Sequence, residues 1–157
     1  MLQVRSPAIK GHWKAFVEQL VDSFIASNSF DTVLVLCSAD ASLRIDCEAH
    51  PCGVPHLWSN GLVESFGQLQ IAQTEKKDFN VEGAGTTGLF IDAMKKKCPD
   101  QSLCVLYVFT TEGDNVCDAI CILNSIWHFV PSFKGVEWTT PQSWRFLFGD
   151  SVNKCIY

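Results

Sequence analysis

The chain has 157 residues, 47% of them hydrophobic and 18% charged, with a formal net charge of −5 at pH 7. That length suits one domain with a core of its own. An aromatic fraction of 11% with a mean hydropathy of +0.12 excludes disorder as the dominant state, and a basic run no longer than Lys95-Lys96-Lys97 argues against a nucleic-acid-binding face.

In chain order, residues 2–6 (LQVRS) alternate apolar and polar, a short strand pattern. Trp13, Phe16, Val17, Leu20, Val21 and Phe24 then recur at spacings of three and four, which predicts an amphipathic helix over 12–26. Residues 32–37 (TVLVLC) read as a strand buried on both faces. Residues 38–68 hold no sustained period, and 68–72 (QLQIA) predict a short strand. The loop Gly83-Ala84-Gly85 leads to Thr86 and Thr87, a candidate cap for a helix reaching Lys97, with Leu89, Phe90, Ala93 and Met94 inward. Residues 103–109 (LCVLYVF) are the second buried strand pattern, so this strand and 32–37 are expected to be central. A polar turn, TTEGDN, follows, and Asn115 with Asp118 has the spacing of a capping box. The next helix carries Val116, Ala119, Ile120, Leu123, Ile126, Trp127 and Val130 at helical spacing, and Pro131 ends it. Thr140-Pro141 opens a last short helix, QSWRFLFG, closed by Gly149. Strands alternating with helices predict a parallel sheet between helices.

The longest uncharged apolar stretch, 119–133, is interrupted by Asn124, Ser125, His128, Pro131 and Ser132 and falls short of the ~20 residues of a spanning helix. The opening residues, MLQVRSPAIKGHWK, lack the apolar run of a signal peptide. An intracellular chain with its eight cysteines mostly reduced is therefore expected.

Few residues group in ways that suggest chemistry. Cys47, His50, Cys52 and His56 lie within ten residues, but C-x2-H-x-C-x3-H is no standard zinc spacing, and Pro51 restricts the turn between two of the ligands. No structural metal is expected. Cys37 ends a predicted strand, where open α/β sheets bind ligands. No nucleophile-elbow motif surrounds it, so it reads as a core cysteine. The glycine loop 83–88 lacks the lysine of a phosphate-binding loop, and Glu82 would repel phosphate. Glu112 and Asp114 suit the N-terminus of the following helix. Cys117 and Cys121 share one helical face. Trp138 and Trp144 flank the last predicted cap and are candidates for a partner surface.

Two runs, TTEGDNVCDAICILNSI at 110–126 and WTTPQSWRFLFG at 138–149, resemble the C-terminal half of the proteasome assembly chaperone 2 family. The matching positions are Glu112-Gly113-Asp114-Asn115, Asp118-Ala119, Trp138, Pro141 and Ser143-Trp144-Arg145-Phe146-Leu147-Phe148-Gly149. The Gly83–Gly85 loop and the strand TVLVLCSAD also fit the pattern. Of these residues, Gly83, Gly85, Glu112, Gly113, Asp114, Asn115, Asp118, Trp144, Arg145, Phe148 and Gly149 are expected to be structural. The resemblance implies a three-layer α/β/α sandwich with a mostly parallel sheet. It also implies a non-enzymatic protein without cofactor that pairs with proteasome assembly chaperone 1 and escorts α-subunits into the ring of the proteasome core particle. Neither nucleic acid nor membrane is an expected partner, and the expected place is the cytoplasm, with the nucleus also open.

Members of the family begin earlier, with further strands, so this chain reads as a form shortened at its N-terminus. One α/β domain over 1–149 is expected, followed by a flexible tail, 150–157. Many family tails end in hydrophobic–Tyr–any residue and enter a pocket between α-subunits. This one ends Cys155-Ile156-Tyr157, with Tyr last, and those residues are the candidate partner contact. Two other readings stand beside this one: a nucleosidase- or phosphorylase-like enzyme on a related scaffold, and a non-functional fragment.

Overall fold

The computed structural model describes residues 2–4, 8–43, 55–60, 72–73, 79 and 81–144. Helix α1 spans Trp13–Leu20 and runs on as a π-helical turn, Val21–Ile25. The strands are β1 (Val33–Asp40), β2 (His56–Ser59), β3 (Ala72–Gln73) and β4 (Leu103–Thr110). Helices α2 (Thr87–Lys97) and α3 (Val116–Ile126) flank β4 in sequence. Short 3-10 turns lie at Ala41–Leu43, Pro131–Phe133 and Gln142–Trp144.

The sheet order is β1-β4-β2-β3. β1 pairs in parallel with β4, Val33 opposite Leu103 and Asp40 opposite Thr110. β2 runs antiparallel to β4, His56 opposite Tyr107, and parallel to β3. The sheet is therefore mixed, where strand–helix alternation alone predicts a parallel one. The four residues of β2 reverse the direction, and they lie in the stretch that shows no period. Asn60 fastens this reversal: Leu103 N–H donates to its Oδ1 at 3.0 Å, and its Nδ2 donates to the Gln101 carbonyl at 2.9 Å.

β4 is central, as its unbroken apolar run predicts, and its first six residues are buried. β1 is not. Among the described residues it lies at the sheet edge, and its exposure alternates from Val35 on, because Val35, Cys37 and Ala39 face the α1–α2 core while Leu36 and Ser38 stand on the less covered face. Leu2-Gln3-Val4 is not in a strand, for its alternation finds no sheet partner; the rest of the predicted 2–6 segment lies outside the described residues, as do 68–71 of the predicted strand that ends in β3.

The two faces of β4 carry separate cores. On one, Val17, Val21 and Ile25 of α1 with Ile91, Ala93 and Met94 of α2 cluster with Trp58, Leu103, Val105 and Tyr107. On the other, Ile122 and Ile126 of α3 cluster with Leu106 and Val108. Alternation along β4 sends odd residues to one layer and even residues to the other. Lys97 ties α2 to α1, paired with the Asp22 carboxylate and donating to the Glu18 carbonyl at 3.1 Å.

The predicted helices differ from the observed ones in several places: at α3, Trp127 of the expected stripe is exposed and Ile122 is buried instead. In α1, Phe16 and Phe24 are exposed, and Val17, Val21 and Ile25 form the stripe. The π turn, marked by the bond from Ala26 N–H to the Val21 carbonyl, widens the helix and turns Phe24 off the core face. In α2, Leu89 is exposed and Ile91 takes the core position. The expected last helix is only a 3-10 turn up to Trp144; residues 145–149 lie outside the described residues.

Candidate functional site

The carboxyl ends of β1 and β4 adjoin, as the register of Asp40 with Thr110 requires, and this is where an open α/β sheet would hold a ligand. Three segments meet there. After β1, the Asp40 carboxylate accepts from Ser42 N–H at 2.8 Å and from Ser42 Oγ at 2.7 Å. Those bonds hold its carboxyl below the usual carboxylate range. Before α2, Gly83 takes a φ of +76°, and a Cβ placed on it would stand 2.7 Å from the Asp40 nitrogen. The glycine loop thus lets two backbones touch, which is a packing role. Thr87, buried at the start of α2, hydrogen-bonds the Cys37 side chain, while burial pushes the Cys37 thiol up. A protonated, half-buried thiol is a poor nucleophile.

After β4, Glu112 and Gly113 stand in an exposed turn. Asp114, not Asn115, does the capping: Val116 N–H donates to its Oδ1 at 3.1 Å, whereas Asn115 forms no side-chain cap. Asn115 contributes its carbonyl, which accepts from Ala119 N–H. Asp118 is half-buried on α3, and its charge, after burial, pushes the Cys121 thiol up. Asp114→Ala should lower stability by about 0.5–2 kcal/mol, the usual worth of an N-terminal cap, with Asn115→Ala nearly neutral; chemical denaturation of the two variants checks this.

The segments 37–43, 81–88 and 109–118 carry Asp40, Glu82, Glu112, Asp114 and Asp118 and no lysine or arginine. Such a field repels phosphate. No nucleophile, base and oxyanion donor come together among the described residues of this end.

His56 opens β2 as a buried ring stacked on Tyr107 at 5.1 Å and edge-on to Phe109 at 5.2 Å. That placement makes it an aromatic member of the sheet. Cys47, His50 and Cys52 lie outside the described residues.

A different surface emerges after α3. Trp127, Phe133, Val136 and Trp144 are 37%, 38%, 42% and 43% exposed within one short stretch built on 3-10 turns. Trp138 packs on Phe133 at 5.7 Å, and Lys134 Nζ lies 5.9 Å from the Trp127 ring centroid. Aromatic side chains held outward on an irregular but packed segment suit contact with another protein. Of these residues the sequence singles out Trp138 and Trp144. Phe133 and Val136 carry no pattern that marks them.

No protein-family model matches the sequence. Whole-chain similarity to curated proteins is clear, however. The chain is 32% identical to proteasome assembly chaperone 2 of Xenopus tropicalis, 31% to that of Xenopus laevis and 28% to that of Danio rerio, each over all of this chain and 67% of the relative. The chain belongs to the proteasome assembly chaperone 2 family. The family motif residues can now be placed. Gly83 makes a close backbone approach, Gly85 and Gly113 take positive φ, and Asp114 caps α3. Trp144 stands on the exposed aromatic surface. Arg145, Phe148, Gly149 and the tail residues Cys155, Ile156 and Tyr157 lie outside the described residues.

Proposed function

We propose that this chain acts as a non-enzymatic chaperone which, paired with the related subunit proteasome assembly chaperone 1, promotes assembly of the α-ring of the proteasome core particle. The observation that carries this reading is the similarity over the full chain to relatives named proteasome assembly chaperone 2. The acidic end of the sheet, filled by backbone contact at Gly83, favours a binding role over nucleoside phosphorolysis, which needs a phosphate cradle. The architecture that fits this role is a three-layer α/β/α sandwich, and the separate apolar clusters on the two faces of β4 support it. The working place is the cytoplasm, with the nucleus as a second one.

The proteasome α-subunits are the proposed cargo. Two surfaces serve contact: the aromatic stretch 127–144 and the tail. Ile156 and Tyr157 offer an apolar anchor and a carboxylate for a basic groove, worth about 1.5–3 kcal/mol for each side chain before ordering costs. Affinity purification of the chain with its partner, read by mass spectrometry, should enrich α-subunits over β-subunits. Deleting 155–157, with the partner's tail also removed, should weaken α-ring binding and leave the thermal midpoint unchanged. Absence of α-subunits from the purified complex contradicts the reading.

A further inference from the structure

We propose that Lys97 is the latch of a register switch in α1. While its ammonium grips α1, the helix keeps the π turn at Val21–Ile25; release returns this turn to α-helical register and exchanges Phe24 for Ile25 in the core. π turns are rare, so a contact beyond the backbone ladder is needed to hold one. Here the slip is marked by the bond from Ala26 N–H to the Val21 carbonyl at 2.8 Å. Val17, Val21 and Ile25 are buried. Phe24 is 38% exposed and packs on the equally exposed Phe30, ring centroids 5.8 Å apart.

Phe24 and Ile25 compete for one inward position. At about 100° per residue, a regular helix sets Phe24 about 40° to one side of the middle of the Val17–Val21 stripe and Ile25 about 60° to the other. The α register therefore favours Phe24, which is the stripe that the spacing of Trp13, Phe16, Leu20 and Phe24 predicts. A π turn takes an extra residue to come round, so each step is smaller. Ile25 then falls back onto the stripe and Phe24 falls off it. Burying either side chain brings a similar transfer free energy, so the choice is open to a contact from outside the helix.

Lys97 supplies that contact. It stands in the last turn of α2, and its Nζ meets both the Glu18 carbonyl, at 3.1 Å, and the Asp22 carboxylate. Glu18 precedes the slip and Asp22 lies within it. The smaller step to Asp22 keeps its carboxylate back beneath the Glu18 carbonyl, where one ammonium reaches both. Full α-helical rotation carries Asp22 farther round the helix and stretches this charge-assisted contact. Ser27 Oγ donates to the Asp22 carbonyl at 2.9 Å, and Asn28 Nδ2 donates to the Phe24 carbonyl at 2.6 Å. Both of those groups move with α1. Of the three side chains, Lys97 is the one anchored on another element.

The switch is independent of the chaperone reading, and its test uses the full chain. Fluorine NMR of protein labelled with para-fluorophenylalanine reads it, with the Phe24 resonance assigned by Phe24→Leu. In the wild type that resonance should shift when heavy water replaces light water, as an exposed ring does. Lys97→Met keeps the aliphatic stem and removes the ammonium. It should raise the ratio of α to π register by about tenfold, the worth of a hydrogen bond to a charged group. The Phe24 resonance then moves and loses its solvent response. Asp22→Asn, at a largely exposed position that folding tolerates, should shift the ratio in the same direction. Lys97→Arg should keep Phe24 outside. Lys96→Met, which removes the same charge from an exposed neighbour on α2, should leave it outside too. Circular dichroism checks that the variants fold. A Phe24 ring that stays solvent-exposed in folded Asp22→Asn and Lys97→Met, or one that moves as far in Lys96→Met, would overturn the proposal.

Discussion

Trp58→Ala should lower stability by about 3–5 kcal/mol, the range for truncating a large buried aromatic side chain. Trp58 is 1% exposed. Its ring meets Phe79 edge-on at 5.8 Å, and Phe79 in turn meets Tyr107 at 5.6 Å. Lys95 Nζ lies 5.5 Å from the Trp58 centroid, adding a cation–π contact from α2. The side chain thus joins β2, β4 and α2, the elements on which the antiparallel turn of the sheet depends. Alanine leaves a cavity that neighbours from three elements must close, and close packing limits how far they can move. Domains of this size hold only ~5–15 kcal/mol in all, so the variant should stand near the edge of unfolding at 37 °C. Urea titration should show a lower midpoint at nearly unchanged slope, and Trp58→Phe should recover part of the loss. A midpoint within error of wild type would show that β2 contributes little to the fold.

Gly83→Ala should be the most damaging Gly→Ala change among the described residues. Two costs add. A φ of +76° is strained for any side chain, typically by about 1–3 kcal/mol. The new Cβ also meets Asp40 backbone nitrogen at 2.7 Å and Asp40 Cβ at 2.8 Å. Neither is the far end of a flexible chain, so the loop or the end of β1 must shift, and overpacking of this kind costs about 1–3 kcal/mol more. Gly85→Ala is the control. Its φ is +59°, but a Cβ there meets nothing within 4 Å, so about 1–2 kcal/mol is expected, the cost of a left-handed L-residue. Thermal denaturation of both variants separates the close approach from the backbone strain. Equal losses would mean that the contact with Asp40 carries no weight.

What the sequence discloses follows the range over which its signals act. β4 is legible because seven apolar residues in a row need burial on both faces, and only a central strand provides it. β1 is legible as a strand but not as an edge: local pattern reports what the side chains meet, and the number of neighbouring strands is a property of the whole sheet. β2 is four residues between Pro55 and Asn60, too short for any period to register. The π turn of α1 is a slip in hydrogen bonding with no mark in composition, and it turns Phe24 away from the core. At the helix starts, the residue types foretell a cap, but the donor geometry selects Asp114 over Asn115.

The family is legible in EGDN and SWRFLFG; of the side chains there that lie in the described residues, Asp114 caps α3 and Trp144 stands on the exposed aromatic surface. The surface that fits a partner is built largely from Trp127, Phe133 and Val136. Their exposure depends on the path of the chain after α3, which short 3-10 turns set and hydrophobic spacing does not encode.

The proposed function is binding and assembly without turnover of a substrate. The most direct measurement is reconstitution: purified proteasome α-subunits mixed with this chain and proteasome assembly chaperone 1, the proposed partner, with ring formation followed by native mass spectrometry. The account predicts a faster rise and a higher yield of complete α-rings than without the pair, with the chain found on the assembly intermediates and no nucleoside or phosphate consumed. Ring yield unchanged by the pair, with no chain bound to any intermediate, would contradict it.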